Sequence, residues 1–316
     1  MPLLGLWALQ NFVGERTGAT ALLLYLPQHF WALWPLGFLG FGLLKRRRDT
    51  LLAGALGLCF WAFLLVGFRY SLASGRKTSG EIRLMSYNIE RGKHGIKAIE
   101  GVIRAQKPDI VCLQESQGAW KKRAFAPGAQ IAARFPGWSN AQSGDVMTLS
   151  RFPIVSRRDY SLRGTRRILE TTLQTPRGQV RVLNVHVSTS FAGKSYPPRS
   201  KIGRIEHIVI NSQPSAQARL DQIRPIQNAI AAGNRQIPLI IAGDFNSPPR
   251  GLFYRAISGG LVDAWNQGGR GAGSTFPSRF PLLPIDHVLA RGVPIGRAFV
   301  PNVRASDHRP IVVDLW

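Results

Sequence analysis

Acidic residues are scarce in this sequence: 17 Asp and Glu stand against 41 Lys and Arg in 316 residues, a formal net charge of +24. The shortage leaves a positive field that attracts polyanions, whether nucleic acid or an anionic lipid surface. Cysteine is scarcer, with Cys59 inside an apolar stretch and Cys112 inside a short apolar run. Two such residues exclude a disulfide framework and a zinc–thiolate cluster, and Cys112 reads as plain core. The histidines form no multi-histidine zinc set. No internal repeat is present, and a composition 45% hydrophobic and 18% charged excludes a wholly disordered chain.

What is abundant is apolar sequence near the N-terminus. Thr20 to Leu44 and Leu51 to Phe68 carry no Asp, Glu, Lys or Arg. About 20 such residues cross a bilayer, so residues 1–70 read as a membrane anchor with two transmembrane segments, about 20–44 and 51–68. Pro27, Gln28, His29 and Pro35 predict a kinked or shallow first segment, and Trp31, Trp34, Trp61, Tyr25 and Tyr70 suit an interfacial belt. The run Lys45-Arg46-Arg47-Arg48-Asp49 between the two segments places their loop in the cytoplasm by the positive-inside rule. The expectation is therefore a multi-pass membrane protein, with the lipid bilayer as a partner and the following domain exoplasmic or periplasmic. Residues 71–80 read as a linker.

From 81 to 316 the pattern changes. Short apolar runs begin at Ile82, Asp109, Val146, Ile168, Val180, Pro238, Ile285 and Pro310, with helical periodicity at Ile96 to Gln106 and from near Ser215 to Ala232, interrupted at Pro225. Strands interleaved with helices imply an α/β domain. Several runs end in acid, amide or imidazole groups: Asn88, Glu115, His186, Asp244 with Asn246, Asp286, and Asp307-His308. One such residue is ordinary turn chemistry. Their recurrence predicts an oxygen-rich cluster at one sheet edge, suited to a hard cation such as Mg²⁺.

Taken in order, MSYNIERG (85–92), CLQES (112–116), LSRFPI (149–154), NVHV (184–187), GDFNSPP (243–249), IDHVLA (285–290) and SDHRPIVVDL (306–315) resemble the motif set of the endonuclease/exonuclease/phosphatase superfamily, the deoxyribonuclease-I-like enzymes. The resemblance implies a four-layer sandwich of two packed mixed β-sheets flanked by helices, here preceded by two transmembrane helices. It also implies a Mg²⁺ or Mn²⁺ cofactor held by Glu115, with Asn88 and Asp307, and a phosphate-ester substrate. Asp244 is then the candidate base or water-orienting group and Asn246 its support. His308 pairs with Asp286, and His186 donates a hydrogen bond to a phosphate oxygen. The proton acceptor, Asp244 or His308, stays open.

Charge favours a phosphodiesterase or endonuclease acting on nucleic acid. The anchor favours the alternative, a phospholipid or sphingomyelin phosphodiesterase at the membrane surface. An inactive binding module fits poorly, because every motif residue is present. The basic and aromatic residues of 189–214, Lys194, Arg199, Lys201, Arg204, Phe191 and Tyr196, are offered as a substrate grip.

Overall fold

A computed structural model of the chain describes residues 2–72, 81–120, 123–162, 166–188 and 201–316. Two six-stranded sheets form its centre. We number their strands in chain order: β1 (Ile82–Asn88), β2 (Ile110–Gln114), β3 (Ser139–Ser143), β4 (Val146–Ser150), β5 (Ile154–Ser161), β6 (Arg167–Thr175), β7 (Gly178–His186), β8 (Leu239–Asp244), β9 (Val262–Asp263), β10 (Asp286–Arg291), β11 (Ile295–Phe299) and β12 (Ile311–Leu315). One sheet runs β11-β12-β1-β2-β4-β3 and the other β9-β10-β8-β7-β6-β5. The pairs β1–β2 and β7–β8 are parallel and the remaining neighbours antiparallel, so both sheets are mixed as expected.

The sheets pack through Leu84, Ile110, Cys112, Val182, Ile240, Val288 and Val313, all without solvent exposure. Cys112 is a core residue, as its setting predicted. Helix Ile96–Gln106 covers the outer face of the first sheet with Ile99, Val102 and Ile103, the stripe its periodicity predicts. Helices Ile223–Ala231 and Gly251–Ser258 cover the second with Ile226, Ala229, Phe253 and Ile257. This is the four-layer sandwich.

The second predicted helix departs from expectation. It begins at Lys201, runs through Pro214 to Leu220, and a new helix starts at Ile223. Pro225 lies in the first turn of that helix, where no intrahelical bond needs its missing N–H. Strands β3 and β5, one at the outer edge of each sheet, lack the apolar runs that mark buried strands. Polar SNAQS and the exposed Arg157, Arg158 and Asp159 keep those edges from pairing with other chains.

Of the two expected transmembrane helices, one has a counterpart among the described residues. One helix, Arg48–Val66, is long and apolar enough to cross a membrane by length and composition. The first segment is broken into helix Gly18–Tyr25, a 3-10 stretch Gln28–Ala32 and helix Leu33–Leu44. Leu26 is extended (ψ 144°), as a residue preceding proline prefers, so no continuous helix forms there. The 12 residues of Leu33–Leu44 reach only about 18 Å at 1.5 Å per residue. That helix packs back on Arg48–Phe60, with Gly42 against Leu51 and Gly54 against Leu39 close enough that a Cβ would collide. The outward surface of the hairpin is apolar, with Leu33, Trp34, Phe41, Leu43, Leu44 and Leu56 exposed.

The base of the hairpin is docked on the sandwich. Buried Arg250 donates from Nη1 to the carbonyls of Leu64 and Leu65 at the end of Arg48–Val66, a cation on a helix C-terminus. Glu15, fully buried, accepts from the backbone N–H of Leu252 at 2.8 Å. Arg69 and Tyr70 pair as a short strand with Arg270 and Gly271. Of the expected linker, only Ser71 and Leu72 are described; 73–80 lie outside the described residues.

One buried ion pair supports the second sheet: Arg181 Nε donates to Glu170 Oε1 at 2.7 Å, with Arg181 Nη2 donating to the carbonyl of Ala229. Removing one partner of such a pair costs about 3–5 kcal/mol, whereas an apolar pair of similar volume is often neutral. Glu170→Ala should lower the unfolding free energy obtained from urea titration by that amount, and Glu170→Leu with Arg181→Met should recover most of it. Equal losses in both proteins would show that the packing, and not the uncompensated charge, carries the effect.

Candidate active site

Every motif residue falls at one end of the sandwich because register puts it there. The parallel pairing of β7 with β8 sets His186 beside Asp244, and the antiparallel pairing of β8 with β10 sets Asp244 beside Asp286. In the other sheet, β1 and β2 end together at Asn88 and Gln114, and Glu115 follows. β8 approaches β7 so closely at Gly243 (φ 157°) that a Cβ would lie 1.9 Å from the carbonyl oxygen of Val185. Only glycine fits before Asp244.

Asp244 is the hub, with 1% of its surface exposed. Its Oδ2 accepts from Asn88 Nδ2 at 2.9 Å and its Oδ1 from the backbone N–H of Asn246 at 2.8 Å. His186 Nε2 and His308 Nε2 face Oδ2 at 3.6 and 3.8 Å. Asn246 Nδ2 donates to the carbonyl of Val187 at 3.0 Å, which fixes the amide over the turn.

His308 Nδ1 contacts Asp286 Oδ2 at 2.8 Å, the carboxylate–imidazole pairing expected from the sequence. Burial opposes charge on this ring, but the carboxylates of Asp286 and Asp244, the Asp286 hydrogen bond and Asp307 override it and raise His308 to about 10. Phe276 lies 4.9 Å from the same ring.

His186 is completely buried, with Nδ1 at 2.7 Å from Asp145 Oδ2 and Nε2 turned toward Asp244. Arg166 Nη1 also donates to Asp145 Oδ2 at 2.7 Å. Burial works against the Asp145 charge, and the hydrogen bond and charge of His186 with those of Arg166 prevail, holding the carboxyl below its usual range. Asp145 and Arg166 were not anticipated. They belong to a β-turn and a loop margin without an apolar run, so no periodicity marks them.

Beside Asn88 lies a group of acids. Glu115 meets Arg91 Nε at 3.2 Å, and Glu90 accepts from the backbone N–H of Asp307 at 3.2 Å. Asp307 also accepts from Ser306 Oγ, whose hydroxyl donates to the carbonyl of Asn88. Burial first, then the charges of Glu90 and Glu115, raise the Asp307 carboxyl above its usual range against the opposing pull of His308. Carboxylates that repel one another around an amide oxygen fit a hard divalent cation, which relieves that repulsion. Glu90 was missed although it stands inside the 85–92 motif, two residues past Asn88.

Asp244, Asp286 and His308 also bring one donor atom each within 4.8 Å of one another, another group compact enough for a metal. The chemistry of the donors favours the first position. Asp286 Oδ2 and Nδ1 of His308 are committed to each other, whereas the first position joins carboxylates and an amide oxygen, the donors a hard cation prefers. Asn88, Glu115, Asp244, Asn246, Asp307 and His308 line one cleft of about 380 Å³. Backbone strain gathers on the same rim: Glu90, Arg91, Glu115 and Asn246 all have φ between 45° and 54°. Of the expected substrate grip, residues 189–200 lie outside the described residues, as do the side chains of Lys201 and Arg204.

Known structures share this fold. The chain is similar to an endonuclease/exonuclease/phosphatase from Beutenbergia cavernae DSM 12333, at 20% identity and a TM-score of 0.55, covering 76% of this chain and 72% of that one. It is similar to the mannosyl-6-phosphatase Bt3783 of Bacteroides thetaiotaomicron VPI-5482 at 18% identity and a TM-score of 0.57, over 74% and 99% of the two chains. A D. rerio TDP2 humanized by 14 mutations aligns at 15% identity and a TM-score of 0.56, over 75% and 100%. Among curated protein sequences none matches. The sequence profile of the Endonuclease/Exonuclease/phosphatase family matches residues 85–308, from within β1 to His308, and so spans the site and most of the chain. The chain belongs to that family of metal-dependent phosphoester hydrolases.

Proposed function

We propose that this phosphoester hydrolase cuts a phosphodiester by in-line attack of a water molecule positioned at Asp244. The observation that carries the reading is the nearly unexposed Asp244 carboxylate, met from both sheets by Asn88, Asn246, His186 and His308 in an open cleft. Asn88, Glu115 and Asp307 would hold Mg²⁺ or Mn²⁺, which supplies positive charge against the phosphate oxygens.

The chain's own groups divide the remaining work. Asp244 orients the water and takes its proton as the water oxygen bonds to phosphorus. On the opposite side the bond to the leaving oxygen breaks, and that oxygen takes a proton from solvent. Asn246 and Asn88 fix the Asp244 carboxylate through hydrogen bonds to its two oxygens. His308, held cationic by Asp286, faces the charge that develops on the phosphoryl group. Expected as a phosphate donor, His186 has no surface of its own, so we assign it to positioning Asp244.

The excess of positive charge supports nucleic acid as the substrate. The docked apolar region supports the alternative, a lipid phosphodiester, since its insertion would hold the cleft at a bilayer surface. We also propose that the hairpin inserts with Lys45 to Asp49 in the cytoplasm and the sandwich on the exoplasmic side.

Hydrolysis should require Mg²⁺ or Mn²⁺ and stop in EDTA; full turnover by metal-free protein would overturn the metal assignment. His308→Ala and Asp244→Asn should each lower kcat by at least about 10²-fold with an unchanged melting temperature, while Glu115→Ala should raise the Mg²⁺ concentration needed for half-maximal rate. Near-normal turnover in both would defeat the mechanism. Protease added to intact cells or spheroplasts should digest the sandwich, and digestion only after permeabilisation would reverse the orientation.

A further inference from the structure

Part of the apolar wall of the catalytic cleft comes from outside the family match. Leu22, Leu26 and Pro27 of the N-terminal region line it together with Phe276, Leu283 and Ile285. Thr17 caps helix Gly18–Tyr25 by accepting from the backbone N–H of Thr20 at 3.2 Å, and the helix ends where Pro27 forces Leu26 extended. At i and i+4, Leu22 and Leu26 come to one side of this segment.

The segment is fixed in place by contacts beside the catalytic turn. The Arg219 guanidinium lies 4.1 Å from the Tyr25 ring centroid, and the Tyr25 hydroxyl is 3.3 Å from Ser247 Oγ, the residue after Asn246. Gly18 approaches Ser212 so closely that a Cβ would lie 2.6 Å from its hydroxyl. The wall is therefore part of the folded cleft.

Among the described residues, neither Lys nor Arg lines that cleft. A groove that tracks a polynucleotide carries cations along the backbone path and aromatic platforms for bases. Here the nearby cation Arg91 is paired with Glu115 at 3.2 Å, and the described apolar side chains of the lining are aliphatic apart from Tyr25 and Phe276. Beyond Pro27 the chain leads directly into the hairpin whose outward surface is apolar, with Leu33, Trp34 and Phe41 exposed. The cleft wall and the membrane-facing surface belong to one stretch of chain.

We propose that Leu22, Leu26 and Pro27, with Phe276, Leu283 and Ile285, form a subsite for the hydrocarbon chain of a lipid phosphate ester drawn from the bilayer. The phosphate then lies over Asp244, Asn246 and His308, and the same hydrolysis follows. The inference rests on the reading of this cleft as a phosphoester hydrolase site.

The test uses full-length protein in detergent micelles with Mg²⁺. The probes are para-nitrophenyl methyl phosphate and para-nitrophenyl dodecyl phosphate, each releasing para-nitrophenolate, with plasmid DNA alongside. The wild type should prefer the dodecyl ester. Leu22→Asp with Leu26→Asp should lower the dodecyl-to-methyl ratio of kcat/KM by at least about 10-fold, the scale of discrimination that a few methylene contacts give. Leu26→Trp, which fills the subsite without charging it, should shift the preference toward shorter chains. An unchanged ratio in both variants would overturn the subsite, as would wild-type cleavage of DNA in preference to either ester. Loss of all Mg²⁺-dependent hydrolysis in the wild type would instead remove the hydrolase reading, and the subsite with it.

Discussion

The Asp244 carboxylate joins the two sheets at the end where the motifs meet. It closes β8 in the second sheet, yet one of its oxygens is held by Asn88 from the end of β1 in the first. A charged group this deeply buried persists only if it is compensated, and here the Asn88 amide and the Asn246 backbone N–H donate to it while two imidazoles face it at 3.6 and 3.8 Å. The demand fixes the relative height of the sheets. It is reinforced one layer down, where Gln114 Nε2 of β2 donates to Asn184 Oδ1 of β7 at 2.8 Å. Two sheets packed through aliphatic side chains alone would slide more freely than two sheets pinned by directional bonds.

Much of this was legible in the sequence, for a physical reason. Buried central strands such as IVCLQ and LIIAGD are continuous apolar runs, so their ends are conspicuous, and polar groups at those ends must share an edge. Glu115, Asp244, Asp286 and His308 were found that way. Strands β3 and β5 were not, because an edge strand is written in polar residues that also write loops. Glu90, Asp145 and Arg166 escaped for a related reason. They act from turns, where position is set by tertiary contacts that no local pattern encodes.

The N-terminal region shows the limit of reading by hydropathy. Residues 20–44 satisfy a window of apolar composition, but Pro27 divides them into a piece that seals the sandwich and a piece that joins the hairpin. Composition measures how much a segment avoids water and says nothing of what it meets instead. Glu15, fully buried against the Leu252 backbone, is the residue that reveals the difference, since a carboxylate beside an apolar stretch has use for a protein partner and none for lipid.

The left-handed residues on the cleft rim have a consequence for how this fold can change. Asn246 holds a conformation that asparagine tolerates, whereas Glu90, Arg91 and Glu115 each hold one that costs a side-chain-bearing residue on the order of 1–3 kcal/mol and glycine almost nothing. A lineage drifting under selection for stability alone would gain most by placing glycine at these positions. Glu115 would be among the first groups lost. The protein's easiest route to a sturdier fold is therefore also its shortest route to silence, and a robust but inert descendant should carry glycine there while its strands remain intact.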